Sequence, residues 1–345
     1  MRRARRRWLG HGTLIAALLF FAGSLAIAQT QRYPDKPTRI SILASPIRSF
    51  DNRDPSQIRF GQLEFRGGLE LASKYGAFGG LSAIHLDAQG VHLLGVTDKG
   101  SWLRGRIVYR GGRPAGIADA EMAPILGPDG RPLAARHWYD AESLAQGADG
   151  MFYVGIERVE KIVRFDIGRD GLTARGQPIS VPADFRTLTR NKSLECLAAA
   201  PKGSAHAGAL IAVTERSLDA AGNLRGFLLK GAQADRFSVK RSDEYDVTDC
   251  AILPPGDLLL LERRYSLVSS LGMRIRRIAL DAIKAGAVVD GHQLIEADLG
   301  QQIDNMEGIA VHRNARGETI ITLVSDDNFS PIQRSLLLQF ALVGD

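Results

Sequence analysis

The chain has 345 residues, with 44 Lys+Arg against 38 Asp+Glu and a formal charge of +6. At 45% hydrophobic and 24% charged it is an ordinary globular composition, which excludes a disordered chain, and two cysteines exclude a disulfide-dense scaffold. Five of the six net charges sit in residues 1–28, which hold Arg2, Arg3, Arg5, Arg6 and Arg7 and no acid; the remainder is nearly neutral and lacks the basic stripe that nucleic-acid binding needs.

The N-terminus reads as a targeting segment. The arginines are followed by an apolar run, Leu14–Ala28, ending in the small-residue site Ala26-Ile27-Ala28. About 15 apolar residues are short of the ~20 that span a bilayer. The expectation is therefore a signal peptide over 1–28, cleaved to leave no stable membrane span, and a periplasmic or secreted protein over 29–345. Arg5-Arg6-Arg7-Trp8-Leu9 has the form of a twin-arginine signal; a general secretion signal with an Arg-rich start fits equally. Residues 44–57 read as a surface excursion.

Five segments then repeat one pattern: a polar or acidic cluster, a short apolar strand, a turn, a second apolar strand, and an acid. They are Gly80–Ile84 with Val91–Val96 and Asp98-Lys99; Asp140–Leu144 with Met151–Ile156 and Glu157-Arg158; Asn191–Leu197 with Ala209–Val213 and Glu215-Arg216; Asp246–Ala251 with Asp257–Leu261 and Glu262-Arg263; and Asp304–Gly308 with Thr319–Val324 and Asp326-Asp327-Asn328. Third strands are expected at Trp102–Tyr109, Lys161–Phe165, Phe227–Lys230, Met273–Ala279 and Leu336–Leu342, and looser fourth strands at Arg236–Lys240 and Gln293–Ala297. Leu280–Ala287 is the one helix candidate. Strand sets repeating every 53 to 60 residues predict an all-β single-domain β-propeller. A mean spacing of about 56 residues favours six blades, with N-terminal strands at Arg39–Leu43, Ile58–Phe65 and Leu69–Leu71 sharing the last blade with the C-terminus; five blades is the alternative. Cys196 and Cys250 read either as a disulfide or as two small buried residues.

Antiparallel order puts the start of a first strand and the end of a second at the same end of a blade. The acids Glu142, Glu195, Asp249 and Glu307, and Asp98, Glu157, Glu215, Glu262 and Asp326, are thus expected around one mouth, with Asp327 beside the last. Carboxylates so gathered repel one another unless protonated, paired with the bases that follow them (Lys99, Arg158, Arg216, Arg263), or bridged by Ca²⁺, which takes 6–8 oxygens. Lys192 is a further anion-binding candidate. His137, in Arg136-His137-Trp138-Tyr139-Asp140, is a weak candidate for acid–base catalysis; a loop histidine capping a strand is the plainer reading. Ser82 stands in no nucleophile elbow.

Gly80–Ile84, Thr97-Asp98-Lys99-Gly100, Asp140-Ala141-Glu142-Ser143, Asn191–Glu195, Asp304–Gly308 and Ser325–Phe329 together resemble the exported bacterial phytase-like, or "esterase-like activity of phytase", proteins, over roughly residues 60–343. The resemblance implies a propeller related to β-propeller phytases, in which Ca²⁺ at an acidic mouth binds phosphate esters and activates water. Carried over, the acids named above would ligate metal, and Lys99, Arg158, Lys192 and Arg216 would contact phosphate; Arg263 joins them as a substrate-binding candidate. Of the phytases' Asp-Asp-Pro motif only Asp54-Pro55 is present, so phytate itself is not implied. The expectation is a Ca²⁺-dependent hydrolase of a small anionic ester. A lactonase, whose propeller also places a cation among channel acids, and a non-catalytic binding propeller with a structural Ca²⁺ are the alternatives.

Overall fold

A computed structural model describes residues 33–231, 233–266 and 270–344. The expected targeting segment over 1–28 lies outside the described residues, and among them no helix is long and apolar enough to cross a membrane.

The chain forms a β-propeller of five sheets, not six. The inner strands, in chain order, are Leu81–Leu86, Ala141–Gln146, Leu194–Ala199, Asp246–Leu253 and Met306–Arg313, and each packs against the next, with the fifth closing on the first. They are almost continuously apolar away from the mouth because neighbouring blades cover both faces. Each is followed by an antiparallel second and third strand: Ser101–Arg110, Lys161–Phe165, Leu224–Lys230, Ser270–Ala279 and Ser335–Leu342 are the third strands. All five match the sequence expectation within a few residues.

The blade number differs from the favoured expectation because the N-terminal strands build no sheet of their own. Leu63–Ala72 hydrogen-bonds to Ser335–Leu342 as the fourth strand of blade 5, with Leu43–Ile47 outside it. Thr38–Arg39 joins the outer edge of blade 1 instead. A strand from each end of the chain therefore closes the ring within one blade. The segment 44–57 is correspondingly no simple excursion: Phe50 is fully buried among Phe60, Phe65 and Phe340, with edge-on ring contacts of 4.9 Å to Phe60 and Phe340. Leu280–Ala287 is not helical beyond a 3-10 turn at Leu280–Ala282, and the following Val288–Val289 runs parallel to Gln233–Val239 of blade 3.

Tight packing between blades fixes some turns. Gly90, at φ 69°, ends the first hairpin of blade 1, and a Cβ there would collide with the imidazole of His312 in blade 5. Cys196 and Cys250 form a disulfide joining the inner strands of blades 3 and 4.

Candidate functional site

Each inner strand carries a β-bulge near the mouth, where one residue is skipped in the pairing with the second strand. The skipped residues are Ser82, Glu142, Glu195, Thr248 and Glu307. A bulge leaves its extra residue outside the ladder; in blades 2, 3 and 5 that residue is a glutamate, and all three glutamates line one basin at the mouth. The second strand supplies the next position in register: Asp98, Glu157, Glu215, Arg263 and Asp326 follow the residues Thr97, Ile156, Thr214, Glu262 and Ser325 that pair just before the bulge. All five line the basin.

Blade 4 thus breaks the pattern by one residue. The sequence pattern equates Asp249 with Glu195 and Glu262 with Glu215, whereas the ladder equates Thr248 and Arg263 with them. A shift of one residue turns a strand side chain to the other face. Asp249 and Glu262 accordingly do not line the basin. Asp249 Oδ2 accepts the backbone N–H of Ile309, while its Oδ1 is buried without a hydrogen-bond partner. Glu262 is fully buried, with Oε2 accepting from Arg274 Nε and Arg276 Nε, each at 2.7 Å. Asp327 also stays out of the basin: it accepts from Gly80 N and from Ser335 Oγ and so ties blade 5 to blade 1.

Around the basin nine carboxylates face four cations, since Asp140 and Asp304 also line it, with Lys99, Arg158, Lys192 and Arg263. Each cation is matched. Lys99 pairs with Asp98 at 2.9 Å, Lys192 with Glu215 at 3.1 Å, and Arg158 with Asp140. Arg263 pairs with Glu307 and reaches Glu215 at 3.5 Å. Arg216 lies outside the basin, held by Asp246 of the next blade. Exposed His137 follows the 3-10 turn Leu133–Arg136 in left-handed conformation and does not line the basin either.

Carboxylates outnumber these cations by five, and six of the nine are pushed toward the protonated form. Burial first, then repulsion from Asp140 and Glu307, raises Glu142 well above the ordinary range. Burial and the charges of Glu142 and Glu157 do the same to Glu195. Burial pushes Glu157 up to about 7 against the opposing Ser193 N–H, and Glu307 up to about 7 against Arg263. Asp326 is raised by burial and by Asp98, and Asp98 by burial despite Lys99. A bound cation relieves such a cluster as a proton does.

The donor set fits a hard divalent ion. Glu157, Glu195 and Glu215 can each present one oxygen within 4.8 Å of the others, and all three are buried. Oxygen-only ligation is what Ca²⁺ selects. Asp98 Oδ1, beside them on the ring, is buried with no hydrogen-bond partner. Sequence reasoning passed over Asn305, which donates from Nδ2 to Glu307 Oε1 at 2.9 Å, and the apolar residues Tyr265, Leu271, Leu299 and Ile332 on the blade 4–5 side.

A family model described as phytase-like, "esterase-like activity of phytase", matches residues 76–329. No curated protein matches. Solved structures with a similar course include a protein provisionally named a gluconolactonase, at 11% identity and a TM-score of 0.43, covering 87% of this chain and 94% of that one. The PQQ-bound aldose sugar dehydrogenase of Streptomyces coelicolor follows at 13% identity and a TM-score of 0.38, covering 90% and 99%. The N-terminal domain of Nup159 has 10% identity and a TM-score of 0.37, covering 86% and 100%.

Proposed function

The chain belongs to the phytase-like ("esterase-like activity of phytase") family, and from that membership we propose that it is an exported, Ca²⁺-dependent hydrolase of phosphate or other esters, acting at the acidic mouth. The observation that carries the proposal is the convergence of buried Glu157, Glu195 and Glu215 beneath a rim of cations. Glu157, Glu195 and Glu215 would hold the ion, with Glu142 and Asp98 adjoining. Ca²⁺ bound there supplies the positive charge that polarises an ester oxygen and acidifies water.

The chain's own side chains do the rest. Lys99, Arg158 and Lys192 on blades 1–3, with Arg263 opposite, hold the anionic group by sharing N–H donors now directed at carboxylates. Glu307, bonded by Asn305 and Arg263 and pushed up to about 7, has the affinity suited to taking a proton from water and returning it to the leaving group near neutral pH. Export is supported by the Arg-rich start, the Leu14–Ala28 run and the Ala26-Ile27-Ala28 site.

One observation favours a second reading. Each rim cation already has a carboxylate partner, an arrangement that also suits a non-catalytic binding propeller with a structural ion. Residues 29–345 assayed on p-nitrophenyl phosphate and p-nitrophenyl acetate, with Ca²⁺ or with EDTA, separate the two. Turnover that depends on Ca²⁺ supports the hydrolase; Ca²⁺ binding without turnover of either ester supports the binding protein.

A further inference from the structure

The mouth is chemically lopsided. Three of its four cations, Lys99, Arg158 and Lys192, lie on the blade 1–3 side, and the fourth, Arg263, is on blade 4. The blade 4–5 side instead presents Tyr265 on the long hairpin of blade 4, Leu299 between blades 4 and 5, and Ile332 after the second strand of blade 5. These are 74%, 56% and 88% exposed, and Leu271 lies beside them. Single exposed apolar residues on a surface need no explanation. Three large ones lining the same polar basin, borne by blades 4 and 5 and the turn between them, form an apolar wall that is open to water.

Resting on the reading of the mouth as an anion-ester site, we propose that its ligand is amphiphilic: a phosphate monoester whose charged end meets Lys99, Arg158 and Lys192 while its alkyl or aryl group lies on the wall of Tyr265, Leu299 and Ile332. A small, uniformly charged ligand such as a polyphosphorylated polyol makes no use of such a wall. The three residues determine specificity and supply no ligand to the ion. Arg263, beneath Tyr265 on the same strand, marks the boundary between the polar floor and the apolar side.

Alkylphosphonates, whose C–P bond keeps them intact, test this by calorimetry with Ca²⁺ present. A methylene fully removed from water strengthens binding roughly fourfold, and one lying on an open wall about twofold, so methyl- to hexylphosphonate should gain about 30-fold. In the variant Tyr265→Ser/Leu299→Ser/Ile332→Ser, whose changes are all at exposed positions, the affinity for methylphosphonate should persist and the gain with length should vanish. Lys192→Gln should weaken every member of the series alike. A flat wild-type series with measurable methylphosphonate binding overturns the apolar wall and leaves the anion site standing. A gain that survives the triple variant, or a series in which nothing binds, also overturns it. Length-dependent binding in a protein that hydrolyses neither test ester supports the wall and contradicts the hydrolase.

Discussion

Arg263 of blade 4 forms an ion pair with Glu307 of blade 5, and it occupies the ring position that the other four blades give to a carboxylate. It is the one cation built into that ring and lies where Glu215 and Glu307 are both within its reach. Glu142 and Glu195, which pair with no cation of the basin, are raised by burial and by their acidic neighbours, Glu307 among them.

Arg263→Gln should remove that compensation. With Glu307 and Glu215 left side by side, stability should fall by about 1–3 kcal/mol, the range for stranding a buried charged partner. The fall should be largest at pH 8, above the value of about 7 to which Glu307 is pushed, and smaller at pH 5, where Glu307 is protonated. Denaturant unfolding at the two pH values checks this; an equal loss at both would mean that Arg263 acts through packing alone.

Glu262→Gln is the matching test one residue away. Glu262 is fully buried between Arg274 and Arg276, and breaking a buried ion pair costs ~3–5 kcal/mol. The variant should be that much less stable yet keep wild-type Ca²⁺ affinity in calorimetry. A loss of Ca²⁺ affinity in a folded variant would place Glu262 among the ligands after all.

The raised carboxyls predict an unusual pH dependence for protein stripped with EDTA. An unfolded Glu titrates near 4.3, whereas Glu157 and Glu307 are pushed up to about 7 when folded. Between those values the folded protein binds more protons than the unfolded chain, so stability falls as pH rises from about 5 to 8. Melting temperatures across that range should decline without Ca²⁺ and flatten with it. A metal-free protein that grows more stable toward pH 8 would show that the repulsion is relieved some other way.

Much of the fold is legible in the sequence because each blade repeats the same physical units: apolar strands short enough to be covered on both faces, separated by Gly and Asp turns. The blade count is not, because spacing alone cannot say which strand Leu63–Ala72 pairs with, and its partner Ser335–Leu342 lies at the far end of the chain. At the site, Glu142, Glu195 and Glu307 are readable as a series, and so are Asp98, Glu157, Glu215 and Asp326. Blade 4 misleads because Asp249-Cys250 imitates Glu195-Cys196, while its bulge falls at Thr248. One signal does exist: Arg274 and Arg276 alternate onto one face of the adjoining strand, which marks a buried acid opposite them, and Glu262 is that acid.

The proposed role of the mouth's carboxylates is a divalent-cation site on which ester hydrolysis depends. Calorimetric Ca²⁺ titration of residues 29–345 beside the Glu195→Gln variant, with p-nitrophenyl phosphate hydrolysis followed in the same samples, tests it most directly. Ca²⁺ binding should weaken in the variant by at least the roughly 10–100-fold caused by altering even the outer partners of a ligand, with hydrolysis lost in step and the metal-free variant no less stable than wild type at pH 8. Unchanged Ca²⁺ affinity in a folded Glu195→Gln protein, or hydrolysis indifferent to EDTA, would contradict it.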